Sequence, residues 1–279
     1  MKGNKLSFQG IAMYKKPLTR QKGTKCIMKL DYSILISPYP FCLNEVGSIK
    51  APTLKEIFAP DVTYQGYAMY LSILLMTPQD YIKKYNILQT PWYHSLSDEE
   101  KDSLSMFDLI REDKYLQSAF SVIFNFFLTE QVIWNQEDCL FLTFKDESLV
   151  GAVNKNNFSE LCDIILQRCC IENPELNTAP AKVTSRKAMQ ILKKLQNGRE
   201  KLAQKSKADK CLELPNIISS VAVKSNSINF ANIWDLTVYQ LMEQFKREQM
   251  SVYFDIQKMS VAAYGNEKHT FKGDEWFKA

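Results

Sequence analysis

The chain reads as mainly α, of the α+β kind. It divides into a helix-rich N-terminal domain with a small antiparallel sheet, a basic linker helix, and a C-terminal helical domain built on one long helix. Three observations predict this. Apolar residues recur at helical spacing over most of the length, most persistently between Asn226 and Asn266. Nine Gly and ten Pro in 279 residues are few, which argues against a β-sandwich or an enzyme built on glycine-rich phosphate loops. A stretch around Val132 to Val153 holds short β-type runs separated by a polar turn, enough for a small antiparallel sheet.

Taken in order, residues 1–24 form a polar, basic, flexible arm. From Cys26 the alternation of Ile27, Lys29 and Asp31, then Tyr32, Ile34 and Ile36, predicts a strand that ends at Ser37-Pro38. A short helix follows at 52–58 with Pro52 near its first turn, then a helix over 64–76 and another from Thr77-Pro78 to about Gln89. Ser97 and Glu100 have the spacing of a capping box, which explains the acid cluster 98–100 better than metal binding or acid–base chemistry does. The aromatic run from Asp113 to Leu128 predicts a helix buried on most sides. Val132–Trp134 and Leu140–Phe144 predict a hairpin, with Val150–Val153 as a third strand. Asn154 or Asn157 would then cap a helix over 158–170. These elements make a domain at 25–177, followed by the basic linker and helix at 178–212 and the C-terminal domain at 213–279.

Within the C-terminal domain a short helix is expected at 212–223, and the long helix at 232–264. Val238, Phe245, Val252 and Met259 are spaced by seven, with Trp234, Leu241, Ile256 and Ala263 on a flanking row. Asn229 or Asn232 could cap it, and Gly265 would end it. Gln249 and Ser251 weaken the stripe midway, so one continuous helix and two helices with a kink both remain open. So do two roles for the stripe, as core of this chain or as contact with another.

Charge is unevenly placed. The total is +4, yet residues 1–30 carry +8 and residues 182–210 another +8, leaving −12 on the remainder. An acidic body with two basic appendages could associate with itself by charge complementarity. The same basic segments, 1–30 and 182–210, could instead neutralise a nucleic-acid backbone. They lack the interleaved aromatics and groove-reading motifs of specific recognition. Seven Cys without a CxxC pair fit reduced, buried thiols better than a disulfide framework. The N-terminus lacks the apolar core of a secretory signal, and no apolar run is long enough for a membrane span.

The motifs of common chemistry are missing. Neither His94 nor His269 sits by a GxSxG elbow, no paired ligand spacing suits zinc, and neither GxGxxG nor GxxxxGK[ST] occurs. No catalytic residue, metal site or cofactor is expected, and the chain is read as non-enzymatic.

Four stretches carry a family resemblance: IWDLTVYQL at 233–241 with EQFKR at 243–247, LPNIISSVAVKS at 214–225, NKNNFSELCDIIL at 154–166, and YLSILLMTPQD at 70–80. In these the chain resembles the tail and baseplate assembly proteins of tailed bacteriophages, especially the contractile-tailed ones. The resemblance implies a structural component or assembly chaperone of the baseplate or hub, working by protein–protein contact in the host cytoplasm or in the virion. Its partners would be tail or baseplate proteins or further copies of itself. No catalytic residues come with that family. The residues expected to meet partners are Trp234, Val238, Leu241 and Phe245 on the long helix, and Arg186, Lys187, Lys193, Lys194, Arg199 and Lys201 on the basic one. The alternative is an accessory protein binding nucleic acid through its basic segments.

Overall fold

The computed structural model describes residues 28–85, 87, 90–171, 213–266 and 271. The basic arm 1–24 and the basic segment 178–212 lie outside them. The fold is mainly α, with eleven α-helices and two small antiparallel sheets among the described residues.

The first element corrects the strand expected at 26–36. Tyr32–Ile36 is a short helix, α1, whose Ile34 and Leu35 amides both bond the Asp31 carbonyl. Alternation over five residues also fits a turn and a half of helix, and among the described residues no strand pairs with it. A hairpin then follows that the alternation test passed over, β1 (Phe41–Leu43) with β2 (Gly47–Ile49). Helices α2 (Leu54–Ile57), α3 (Thr63–Leu74) and α4 (Pro78–Lys84) come next, then α5 (Pro91–Ser95) and α6 (Asp98–Asp102). Helix α5 carries His94 in its last turn. Ser97 and Glu100 form the capping box that their spacing implied.

Helix α7 (Met106–Glu112) also went unanticipated, although its signal was present: Ser105 and Asp108 cap it reciprocally. Behind it α8 (Lys114–Phe127) is capped by the Asp113 carboxylate, which accepts from the Tyr115 amide. Phe120, Phe124 and Phe127 of α8 are essentially inaccessible and form the centre of the core. Phe120 and Phe124 meet Phe158, and Phe124 also meets Phe141, edge-to-face at centroid distances of 5.2–6.0 Å, a geometry that adds to area burial. Phe141 belongs to β4 (Leu140–Lys145), central in the sheet β3-β4-β5 with β3 (Gln131–Asn135) and β5 (Ser148–Val153). Phe158 opens α9 (Phe158–Arg168).

The two sheets are tied together. Thr143 Oγ1 donates to the Val46 carbonyl at 2.6 Å, and the buried Glu130 carboxylate accepts from the Ser48 amide at 2.8 Å. Gly151 is needed where β5 passes the first hairpin, because a Cβ there would stand 2.3 Å from the Glu45 carbonyl oxygen.

On the far side of 172–212, α10 (Leu214–Lys224) buries Ile217, Ile218 and Val221. A 3₁₀ turn at Ile233–Asp235 leads into α11 (Val238–Tyr264). The core is continuous across this break: Leu214, Ile233, Val238 and Leu241 belong to the same buried cluster as Phe120 and Phe124. Backbone bonds reinforce it, from the Leu54 amide to the Leu236 carbonyl at 2.9 Å and from the Val238 amide to Pro52 at 3.4 Å.

Candidate functional site

Helix α11 is one continuous rod of 27 residues, about 40 Å at 1.5 Å per residue. It begins at Val238 rather than 232, because Thr237 and not Asn229 or Asn232 is its cap. The Thr237 hydroxyl accepts from the Gln240 amide, and the Gln240 side chain accepts from the Thr237 amide. No kink intervenes at Gln249 or Ser251. Gly265, at φ +79°, ends the helix as its lack of a Cβ permits.

The base of this helix is held firmly. Val238 is 4% and Leu241 0% exposed. Gln240 Nε2 donates to the Ile36 carbonyl at 2.9 Å. Trp234 stacks its edge on Phe58 at 5.6 Å and donates from Nε1 to the Phe230 carbonyl. Phe245 is half-buried against the core. Of the four residues expected to meet a partner, Val238 and Leu241 therefore face this chain's own interior, while Trp234 and Phe245 lie at its margin. Arg186, Lys187, Lys193, Lys194, Arg199 and Lys201 lie outside the described residues.

Beyond Phe245 the body falls away, but the stripe continues. Val252 is 40%, Ile256 56% and Met259 65% exposed. The seven-residue spacing puts Val252 and Met259 on the face that holds Val238 in the core and Phe245 at its margin. The opposite face is partly covered by the chain's return: Phe271 packs on Phe254 at 5.2 Å, and Asn266 bonds both the amide and the carbonyl of Phe271. The second half of α11 thus presents an exposed apolar row that no other described element covers.

A groove of about 440 Å³ lies between α1 and the base of α11, lined by Tyr32, Ile36, Ile228, Leu236, Gln240, Glu243, Gln244 and Arg247. Its charges answer one another. Glu243 accepts from Tyr32 Oη at 3.1 Å and from Arg247 Nε at 2.7 Å, which raises the Arg247 pKa.

Arg168, missed in the sequence, holds the neighbouring segment. Its side chain is buried, and it donates to the carbonyls of Ile34, Ser37 and Tyr39 at 3.3, 3.2 and 2.8 Å. Burial lowers its pKa. The adjacent Cys169 thiol, wholly buried, is pushed up to about 12, so it is no nucleophile near neutral pH. His94 is exposed on α5, and His269 lies outside the described residues. Among the described residues no three His, Cys, Asp or Glu side chains gather as a metal site would require. No helix among them is long and apolar enough to cross a membrane.

The base and tip of α11 both fall within the segment that comparison with known proteins recognises. A model of the YomV second domain matches residues 204–279. That family is of Bacillus prophage derivation, so the match points to a phage protein. It covers about a quarter of the chain, including the stretches at 214–225 and 233–247 but not those at 70–80 and 154–166. No curated protein and no solved structure matches.

Proposed function

We propose that this protein works in the assembly of a phage tail or baseplate, through protein–protein contacts and without catalysis of its own. The observation that carries the reading is the exposed row Val252, Ile256 and Met259 in the second half of a continuous 27-residue helix. An exposed apolar stripe costs solubility unless another chain covers it, and a helix face presents anchors at regular intervals. The match to a prophage-derived domain over this segment supports the setting, and the resemblance to tail and baseplate assembly proteins supplies the partner class. The work would take place in the host cytoplasm during assembly.

Co-expression with the tail and baseplate proteins encoded beside it tests the proposal. The expected result is a stable complex with at least one of them that is lost in the V252S/I256S/M259S variant. Absence of affinity for any of them overturns it.

A further inference from the structure

The uncovered stripe has the pattern of a two-stranded coiled-coil seam. Along α11 the positions facing one way are Met242, Phe245, Gln249, Val252, Ile256, Met259 and Ala263, in alternating steps of three and four. Met242 and Phe245 are half-buried against the body, so the free seam begins at Gln249 and runs about 24 Å to Tyr264. We propose that a second copy of this chain occupies it, in a parallel, in-register pair. The inference deepens the reading of this stripe as a contact surface, and names one occupant of it.

Three features select an identical partner in that orientation. The first is Gln249, an exposed amide in an otherwise apolar row. A polar side chain at one seam position fixes register, because it is satisfied when the same residue faces it and stranded when an aliphatic one does. The second is the flanking charge. In a parallel pair Glu248 of one helix faces Tyr253 of the other, and Asp255 faces Ser260, so each carboxylate meets a hydroxyl. The Tyr253 hydroxyl already accepts from Gln257 Nε2 at 2.8 Å, which leaves its proton available to donate. The antiparallel register that keeps the seam places Asp255 beside its own counterpart, and like charges there disfavour it.

The third feature is area. Val252, Tyr253, Ile256 and Met259 are 40–65% exposed. At about 150–250 Å² for a large side chain they offer roughly 450 Å² per copy. The pair would bury about 900 Å², below the usual range for stable complexes, so the dimer is exchangeable and depends on concentration.

The test uses the full chain in sedimentation or light scattering across a concentration series, with circular dichroism to check folding. The wild type is expected to shift from monomer to dimer with concentration. Q249K and Q249E should each weaken the dimer about tenfold or more, because like charges meet at the seam. Mixing the two variants should restore it, since only a parallel, in-register pair brings position 249 to position 249. A wild type that stays monomeric at all concentrations overturns the inference. So do single variants that dimerise normally, or a mixture that fails to recover. A monomer that still binds tail proteins through Val252, Ile256 and Met259 removes the second copy and keeps the assembly role. A dimer without affinity for tail proteins does the reverse.

Discussion

The two ends of α11 share one periodic pattern and have opposite surroundings. At the base, Val238 and Leu241 are buried where α10 and α1 pack against the helix; toward the tip, Val252, Ile256 and Met259 continue the stripe into solvent. Hydrophobic period therefore identifies the face of a helix and says nothing about what covers it. Cover depends on where the rest of the body ends, which is a property of the tertiary fold. The contrast also gives the protein two kinds of residue to perturb, those buried in the core and those proposed to associate.

The largest expected effect belongs to the base. Leu241→Ala removes a fully buried side chain and should lower unfolding free energy by about 3–5 kcal/mol in urea denaturation, the range for large-to-small changes in a packed core. A loss near zero would mean that the base is as free as the tip. Arg168→Met comes next, at about 2–3 kcal/mol. It leaves three carbonyls of the segment 34–39 without their charged donor, and that segment receives Gln240 from α11. Unchanged stability in that variant would show that the segment does not brace the helix.

A smaller effect should appear in acid. Glu56 caps α2, which adjoins the base of α11 through Thr53 and Leu54. Burial alone would raise its pKa, but the Lys50 ammonium, the Thr53 amide and the Thr53 hydroxyl together hold it below the ordinary value of 4.5. A depressed acid contributes stability that is present above the unfolded-state pKa and lost as pH falls through the folded one. Wild type and Glu56→Gln should thus differ at neutral pH and converge well below pH 4.5. A difference that persists unchanged in acid would assign the effect to something other than the carboxylate.

Much of this was legible in the sequence because it is local. The capping box at Ser97, the aromatic helix 114–127 and the hairpin of β3 and β4 follow from spacing within a dozen residues. What escaped depends on distant partners or on signals too short to weigh. The Tyr32–Ile36 alternation fits a short helix as well as a strand, and Arg168 reads as a helix-end cation until the segment 34–39 closes over it. The β1–β2 hairpin turns through Glu45 at φ +64°, a conformation glycine would have advertised. Val238 and Leu241, expected as contact residues from their period, lie in this chain's own core, and the same stripe becomes exposed only further along the helix, where the body ends.

The sharpest test of the comparison is therefore the smallest stability change. Ile256→Ser lies on the same row as Leu241, a little over four turns further along, and has a side chain of the same size class. Because Ile256 is already 56% exposed, the substitution should alter unfolding free energy by no more than about 0.5 kcal/mol. It removes an apolar anchor from the seam without touching the cap at Thr237 or the core, so far-ultraviolet dichroism and thermal midpoint should match the wild type. Association, with a second copy or with a tail protein, should weaken measurably in the same sample. A variant that lost stability instead would place the tip of α11 in an intramolecular contact, and the division between a structural base and an associating tip would then fail.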